Sequence, residues 1–123
     1  MSDDTPILTE MMLQAEIFCS YVEGTLTAGS TPRKVEARLK IAQCRGAIAF
    51  LQGIYEDGLL TFGHPPVAET FRHLIMSLMW VSFYGGSKIE HKLFRRLVQI
   101  ESGFTFLLLN QIAGGAGRSR SGP

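Results

Sequence analysis

Four helix-start signals divide this sequence. Thr5-Pro6 and Thr31-Pro32 each put a capping hydroxyl directly before a proline at the first helical position, and Pro65-Pro66 places proline at a third start. Ser87 and Glu90 have the spacing of a capping box, in which each side chain binds the other residue's backbone N–H. Because no segment offers a partner for a β-strand, these signals predict an all-α chain.

Apolar residues follow these starts at spacings of three and four, as expected for amphipathic helices. The stripe on the first predicted helix consists of Leu8, Met11, Ala15, Phe18 and Val22. The stripe on the fourth consists of Ile89, Leu93, Leu97, Ile100, Phe104 and Leu107. Residues 104–109 alone fit a helix or a strand, and the helix is preferred here for lack of a pairing strand.

The second predicted helix has two apolar faces. One is Ile41, Cys44, Ile48, Leu51 and Tyr55. The other, made largely of small residues, is Val35, Leu39, Ala42, Gly46, Ala49 and Gly53, and is named here the outer α2 face. A helix that is apolar on two sides packs on two sides, so we expect this helix to be central.

The chain therefore predicts one compact bundle of four helices. The bundle forms a single domain over residues 1–112, and residues 113–123 form a disordered, basic Gly/Ser-rich tail. The chain is 123 residues long, enough for a single core. Cys19 and Cys44 fall on apolar faces without a metal-ligand spacing and are expected to be reduced core thiols.

Charge is divided by position along the chain. Residues 1–32 contain five acids and no Lys or Arg, and a basic cluster follows, opposed locally only by Glu36. This α2 basic patch consists of Arg33, Lys34, Arg38, Lys40 and Arg45. Such a stripe suits a polyanion or an acidic surface. A neutral explanation is a solvated helix face that the acidic first helix shields.

Catalytic signatures are missing from the sequence. His64, His73 and His91 are scattered, no metal-ligand spacing occurs, and no nucleophile lies in a recognisable turn motif. We therefore expect a protein that is not an enzyme and needs no cofactor or metal. The acidic N-terminus does not resemble a signal peptide and no apolar run is long enough to span a bilayer, which predicts a cytoplasmic protein.

Two segments resemble a known family. Residues 70–86 end in Phe83-Tyr84-Gly85-Gly86 and resemble the last helix of the small helical subunit of multi-subunit (class 1) CRISPR effector complexes, most closely the type III complexes. The capped, basic start at residues 30–38 is similar in kind to a helix start in that family. In contrast to the family pattern, another helix and a tail follow the Gly-Gly pair.

The resemblance implies a non-catalytic subunit of an antiviral ribonucleoprotein. Such subunits stack in several copies and hold guide RNA and target strand through backbone phosphates, so the implied partners are nucleic acid, other subunits and copies of itself. The α2 basic patch would bind phosphates, with a second patch on the fourth helix. This α4 basic patch consists of Lys92, Arg95 and Arg96. The side chains expected at subunit contacts are Phe62, Trp80, Phe83, Tyr84 and Phe106.

A second hypothesis is a helical adaptor or export chaperone. Residues 27–32 and 46–51 resemble, at a longer spacing, segments of four-helix flagellin chaperones. In that hypothesis exposed apolar side chains bind a hydrophobic client helix, and the α2 basic patch is incidental. A phage-encoded inhibitor of similar size is a third alternative.

Overall fold

The computed structural model describes residues 3–25, 31–84 and 91–121, with the side chains of residues 3–24, 31–83 and 93–114. Four helices account for most of these residues: α1 (Thr5–Thr25), α2 (Pro32–Glu56), α3 (Pro65–Tyr84) and α4 (His91–Ser121). The described residues contain no strand, and residues 104–109 are helical. The prediction of an all-α four-helix bundle is confirmed.

The boundaries of α2 follow from its local sequence. The Thr31 hydroxyl accepts a hydrogen bond from the backbone N–H of Lys34 at 3.3 Å, and Pro32 occupies the first turn, as predicted. At the other end, Gly58 has φ of 74°, a left-handed conformation that glycine adopts without strain. The capping box predicted at Ser87 and Glu90 lies outside the described residues.

The core forms where the predicted apolar stripes meet. Helix α1 packs against α2 and α4, and α3 packs against the same two helices, so α2 and α4 occupy opposite corners. The described residues of the two predicted stripes on α1 and α4 lie in or against the core. Other buried members from α3 are Val67, Phe71, Leu74, Ile75, Leu78 and Val81. Within the described ranges, no helix has the length and apolar character needed to cross a bilayer.

Helix α2 differs from its prediction. It buries one face, at Ala37, Ile41, Cys44 and Leu51, against both of its neighbours. All six residues of the outer α2 face are exposed. The expectation of packing on two sides was wrong because α1 and α3 both lie on the same side of α2.

Helix α4 is longer than predicted and approaches α1 closely. Its backbone is helical to Ser121, past the boundary expected near residue 112, while the division into a domain and a tail stays a prediction. A Cβ atom added at Gly103 would lie 3.0 Å from the Met11 sulfur and 3.2 Å from its Cγ. The absence of a side chain at Gly103 therefore sets the spacing between the two helices.

The two thiols are free and buried, as predicted. Cys19 lies on α1 and Cys44 on α2, and both are at most 1% exposed. A hydrogen bond with Cys19, and to a lesser degree burial, raises the pKa of the Cys44 thiol.

The start of α1 is bound to the connector between α2 and α3. The Asp4 carboxylate accepts a hydrogen bond from the backbone N–H of Phe62 at 2.9 Å. Leu60 and Phe62 are 4% and 3% exposed, and the Phe62 ring packs edge-on against Phe104 with ring centroids 5.3 Å apart. Phe62 was expected at a subunit contact, and this is corrected: its ring closes the core at one end of the bundle.

We expect Gly103→Val to lower the free energy of unfolding by about 1–3 kcal/mol, because the new side chain overlaps Met11 in a packed interface. The matched control is Gly46→Ala, where nothing lies within 4 Å of the new Cβ, and improved helix propensity should raise stability by about 1 kcal/mol. Urea unfolding followed by circular dichroism at low protein concentration measures both changes. Equal effects of the two substitutions would contradict the close approach of α1 and α4.

We expect both thiols to be protected in the native protein. Reaction with Ellman's reagent should be at least about 100-fold slower than in guanidinium, since labelling requires the helices to separate. In guanidinium both thiols should react, and prior treatment with a reducing agent should not change the number of reactive thiols. Rapid native labelling of either thiol would show that the contact between α1 and α2 opens.

Candidate nucleic-acid and protein interfaces

The first turn of α2 presents the most accessible part of the α2 basic patch. The Thr31 cap and Pro32 begin the helix so that Arg33 is exposed and Lys34 is half-buried. Among the described residues, no acid forms a salt bridge with either side chain. These two cations can therefore meet an external anion without breaking an ion pair in the described part of the chain.

Arg45, in contrast, is engaged by the acidic first helix. Its Nε donates to the Glu23 carboxylate at 3.2 Å, and a terminal nitrogen donates to the Ser20 hydroxyl at 2.8 Å. The same terminal nitrogen also donates to the Glu23 carboxylate, and this carboxylate raises the pKa of Arg45 above its ordinary value. Helix α1 thus neutralises one end of the patch.

Lys40 is engaged on the other side of α2. Its ammonium lies 3.8 Å from the Glu36 carboxylate, one turn away, and 5.9 Å from the centre of the Trp80 ring on α3. That geometry is a cation–π contact. Lys40 was expected at phosphates and Trp80 at a subunit contact, and the structure places them against each other.

The α4 basic patch lies at a different corner of the bundle. The Arg95 side chain is exposed, and Arg96 donates to the Gln14 side chain at 2.6 Å. The side chain of Lys92 lies outside the described residues. Helix α1 packs between α2 and α4, and it therefore separates the helices that carry the two predicted basic patches.

Two of the aromatic residues expected at subunit contacts are well exposed. Phe83, at the end of α3, is 62% exposed, and Phe106, on α4, is 53% exposed. The Tyr84 side chain lies outside the described residues. A contact through Phe83 or Phe106 stays a prediction, and both rings are positioned to make one.

Helix α4 also carries a second apolar stripe, which was not predicted from the sequence. This stripe is named here the outer α4 face and consists of Phe94, Val98, Phe106, Leu109 and Ile112, each between 43% and 61% exposed. The sequence contained a pattern that could have predicted this stripe, because these residues recur at helical spacings outside the core stripe of α4. Exposed apolar clusters of this kind mark sites of interaction.

A groove of about 370 Å³ lies beside this face, between α3 and α4. Its apolar wall includes Phe62, Phe104 and Leu108, and Glu69 and Arg72 lie at its edge. Arg72 and Glu69 are joined at 2.8 Å, and His73 lies 3.1 Å from the same carboxylate. Arg72, and to a lesser degree His73, lower the pKa of Glu69. An apolar wall with a charged edge suits an amphipathic helix.

Potential metal ligands do not converge in the described part of the chain. No group of three or more His, Cys, Asp or Glu side chains is placed to hold a metal ion there. Comparison with protein-family models, curated proteins and solved structures finds no match to this chain. The physical properties of its surfaces therefore carry the functional argument.

We expect the two ends of the α2 basic patch to respond differently to neutralisation. Lys34→Gln should lower the salt concentration that elutes the protein from a heparin column. With one cation fewer, binding of the protein to heparin releases fewer counterions. The double change Arg45→Gln with Glu23→Gln should alter elution little, because it removes an ion pair that is already neutral. Glu23→Gln alone should raise the elution salt by freeing Arg45. An equal loss from Lys34→Gln and from the double change would contradict shielding by α1.

Proposed function

We propose that this protein is a non-catalytic helical subunit of a larger assembly, which it joins through the outer α4 face. The observation that carries this proposal is the apolar stripe itself, whose side chains are on average about half exposed. Exposed apolar side chains that cluster along one helix mark an interaction surface, which a subunit covers with its partner.

The more specific form of the proposal is a small subunit of a CRISPR ribonucleoprotein. Its support is the resemblance of residues 70–86 and 30–38 to that family, together with the accessible cations at the start of α2. Arg33 and Lys34 would hold guide RNA or target strand through phosphates, without reading base sequence. Arg45 and Lys40 would contribute less, because each has a partner within the chain.

The second candidate is an adaptor for a hydrophobic client helix. The groove between α3 and α4 favours it, because its apolar wall adjoins the outer α4 face. In this candidate the client would be a single protein, and the cations of α2 would have no part in binding.

The test is purification of a tagged chain from its native host at moderate salt, followed by sizing and by sequencing of any bound nucleic acid. A large particle with short RNA of uniform length and a repeated flank is the result expected for the CRISPR subunit. A small particle without nucleic acid that holds one hydrophobic client is the result expected for the adaptor. A chain recovered alone would contradict both.

Two variants separate the contacts in the same experiment. Arg33→Ala with Lys34→Ala should remove bound RNA while the protein partners stay, since those cations would contact only phosphates. Phe106→Asp with Leu109→Asp should release the protein partners, because both side chains lie on the outer α4 face. Circular dichroism checks that each variant keeps its helical content. RNA retention that survives the first variant would exclude the start of α2 as the RNA contact.

A further inference from the structure

The buried thiols Cys19 and Cys44 meet across the contact between α1 and α2. The Cys44 thiol donates a hydrogen bond to the Cys19 sulfur. Both side chains are at most 1% exposed and belong to the same core cluster. Two thiols in contact differ chemically from any other pair in this core, because the loss of two hydrogen atoms joins them as a disulfide.

The contacts around the two thiols fix their register independently. The residues that follow the two cysteines in sequence, Ser20 and Arg45, are joined by a hydrogen bond of 2.8 Å. One turn further along α1, Glu23 lines a cleft with Ile41, which lies one turn earlier on α2. The two helices therefore run antiparallel, and this register places the two thiols level with each other inside the core.

The surroundings of the two thiols make them unequal. The hydrogen bond from Cys44 is the main cause that lowers the pKa of the Cys19 thiol, and the Arg45 guanidinium lowers it further against the opposing effects of burial and of Glu23. The same hydrogen bond raises the pKa of the Cys44 thiol. Cys19 is therefore the thiol that ionises first, and Cys44 is the neighbour held beside it.

From this arrangement we propose that Cys19 and Cys44 form a redox-sensitive latch, in which a peroxide converts the two thiols into a disulfide between α1 and α2. The latch is open in the reduced protein and closed in the oxidised protein. It stands apart from the proposed docking through α4, because it uses only groups in the contact between α1 and α2.

The oxidation takes two steps. The Cys19 thiolate attacks one oxygen of hydrogen peroxide and the O–O bond breaks, which leaves a sulfenic acid on Cys19 and a hydroxide that takes up the thiol proton as water. The Cys44 sulfur then attacks the Cys19 sulfur, the S–O bond breaks, and the departing oxygen leaves as a second water with the Cys44 proton. Two thiols and one peroxide thus give one disulfide and two waters, with both sulfurs oxidised and both peroxide oxygens reduced.

Burial directs the second step to one product. The chain contains no cysteine besides these two, and the sulfenic acid on Cys19 forms with the Cys44 sulfur already in contact. A thiol of another molecule would have to enter the core to compete. The latch therefore closes within one chain, before a second peroxide can carry Cys19 to the sulfinic acid.

The disulfide would change what α1 can do. It closes a loop of about 25 residues between the two helices, which restricts the unfolded chain far more than the native one. It also keeps Glu23 beside Arg45, because α1 cannot then separate from α2. Oxidation thus fixes the shield on one end of the α2 basic patch, and reduction returns that shield to its opening equilibrium.

The experiment treats the reduced, full-length chain with excess hydrogen peroxide under native conditions. The intact mass should fall by two hydrogen atoms, and peptide mapping without reduction should link the peptide of Cys19 to that of Cys44. The melting temperature should rise by about 10 °C over that of the reduced chain. Dithiothreitol should reverse both the mass change and the rise in melting temperature.

Two variants assign the roles of the thiols. Cys44→Ala should leave Cys19 at the sulfenic acid, which dimedone traps, whereas Cys19→Ala should leave Cys44 largely unmodified, and circular dichroism verifies that both variants fold. Equal trapping in the two variants would overturn the assignment of Cys19 as the attacking thiol. A wild-type chain that keeps both thiols, gains a sulfinic acid, or forms disulfides between molecules would overturn the latch itself, and this result does not depend on either variant.

Discussion

The burial of the apolar stripe of α1 is the constraint on which the rest of the bundle depends. Leu8, Ala15 and Phe18 are completely buried because α1 packs against α2 on one side and α4 on the other. That position fixes the closest approach to α4, where Gly103 leaves room for Met11. It also places Glu23 beside Arg45. Helix α1 therefore both completes the core and determines which cations of α2 remain accessible.

The fold was largely predictable because helix boundaries are encoded locally. Thr31 with Pro32 at one end of α2 and Gly58 at the other define its length through capping and backbone conformation. The inner stripes of α1 and α4 were likewise visible as spacings of three and four. Phe62 was misassigned, because its burial depends on Asp4 and Phe104, which are distant in sequence and contact it only after folding.

The surfaces were harder to predict from sequence, for the same physical reason. Periodicity shows that a helix has an apolar face and does not show whether another element covers it, as the exposed outer α2 face demonstrates. A cluster of cations likewise does not reveal its partners. Arg45 and Lys40 lost much of their availability to Glu23 and Trp80, whereas Arg33 kept its own.

The order of contacts around the bundle has a consequence for synthesis on the ribosome. Helix α1 is made before the other three helices, yet α4, one of its two neighbours, is made after them all. The part of α1 that packs against α4, which includes Met11, therefore has no native partner until α4 has been made. A nascent chain in that interval would be a natural client for chaperones that shield apolar segments, and a stalled or truncated product lacking α4 would be prone to aggregation.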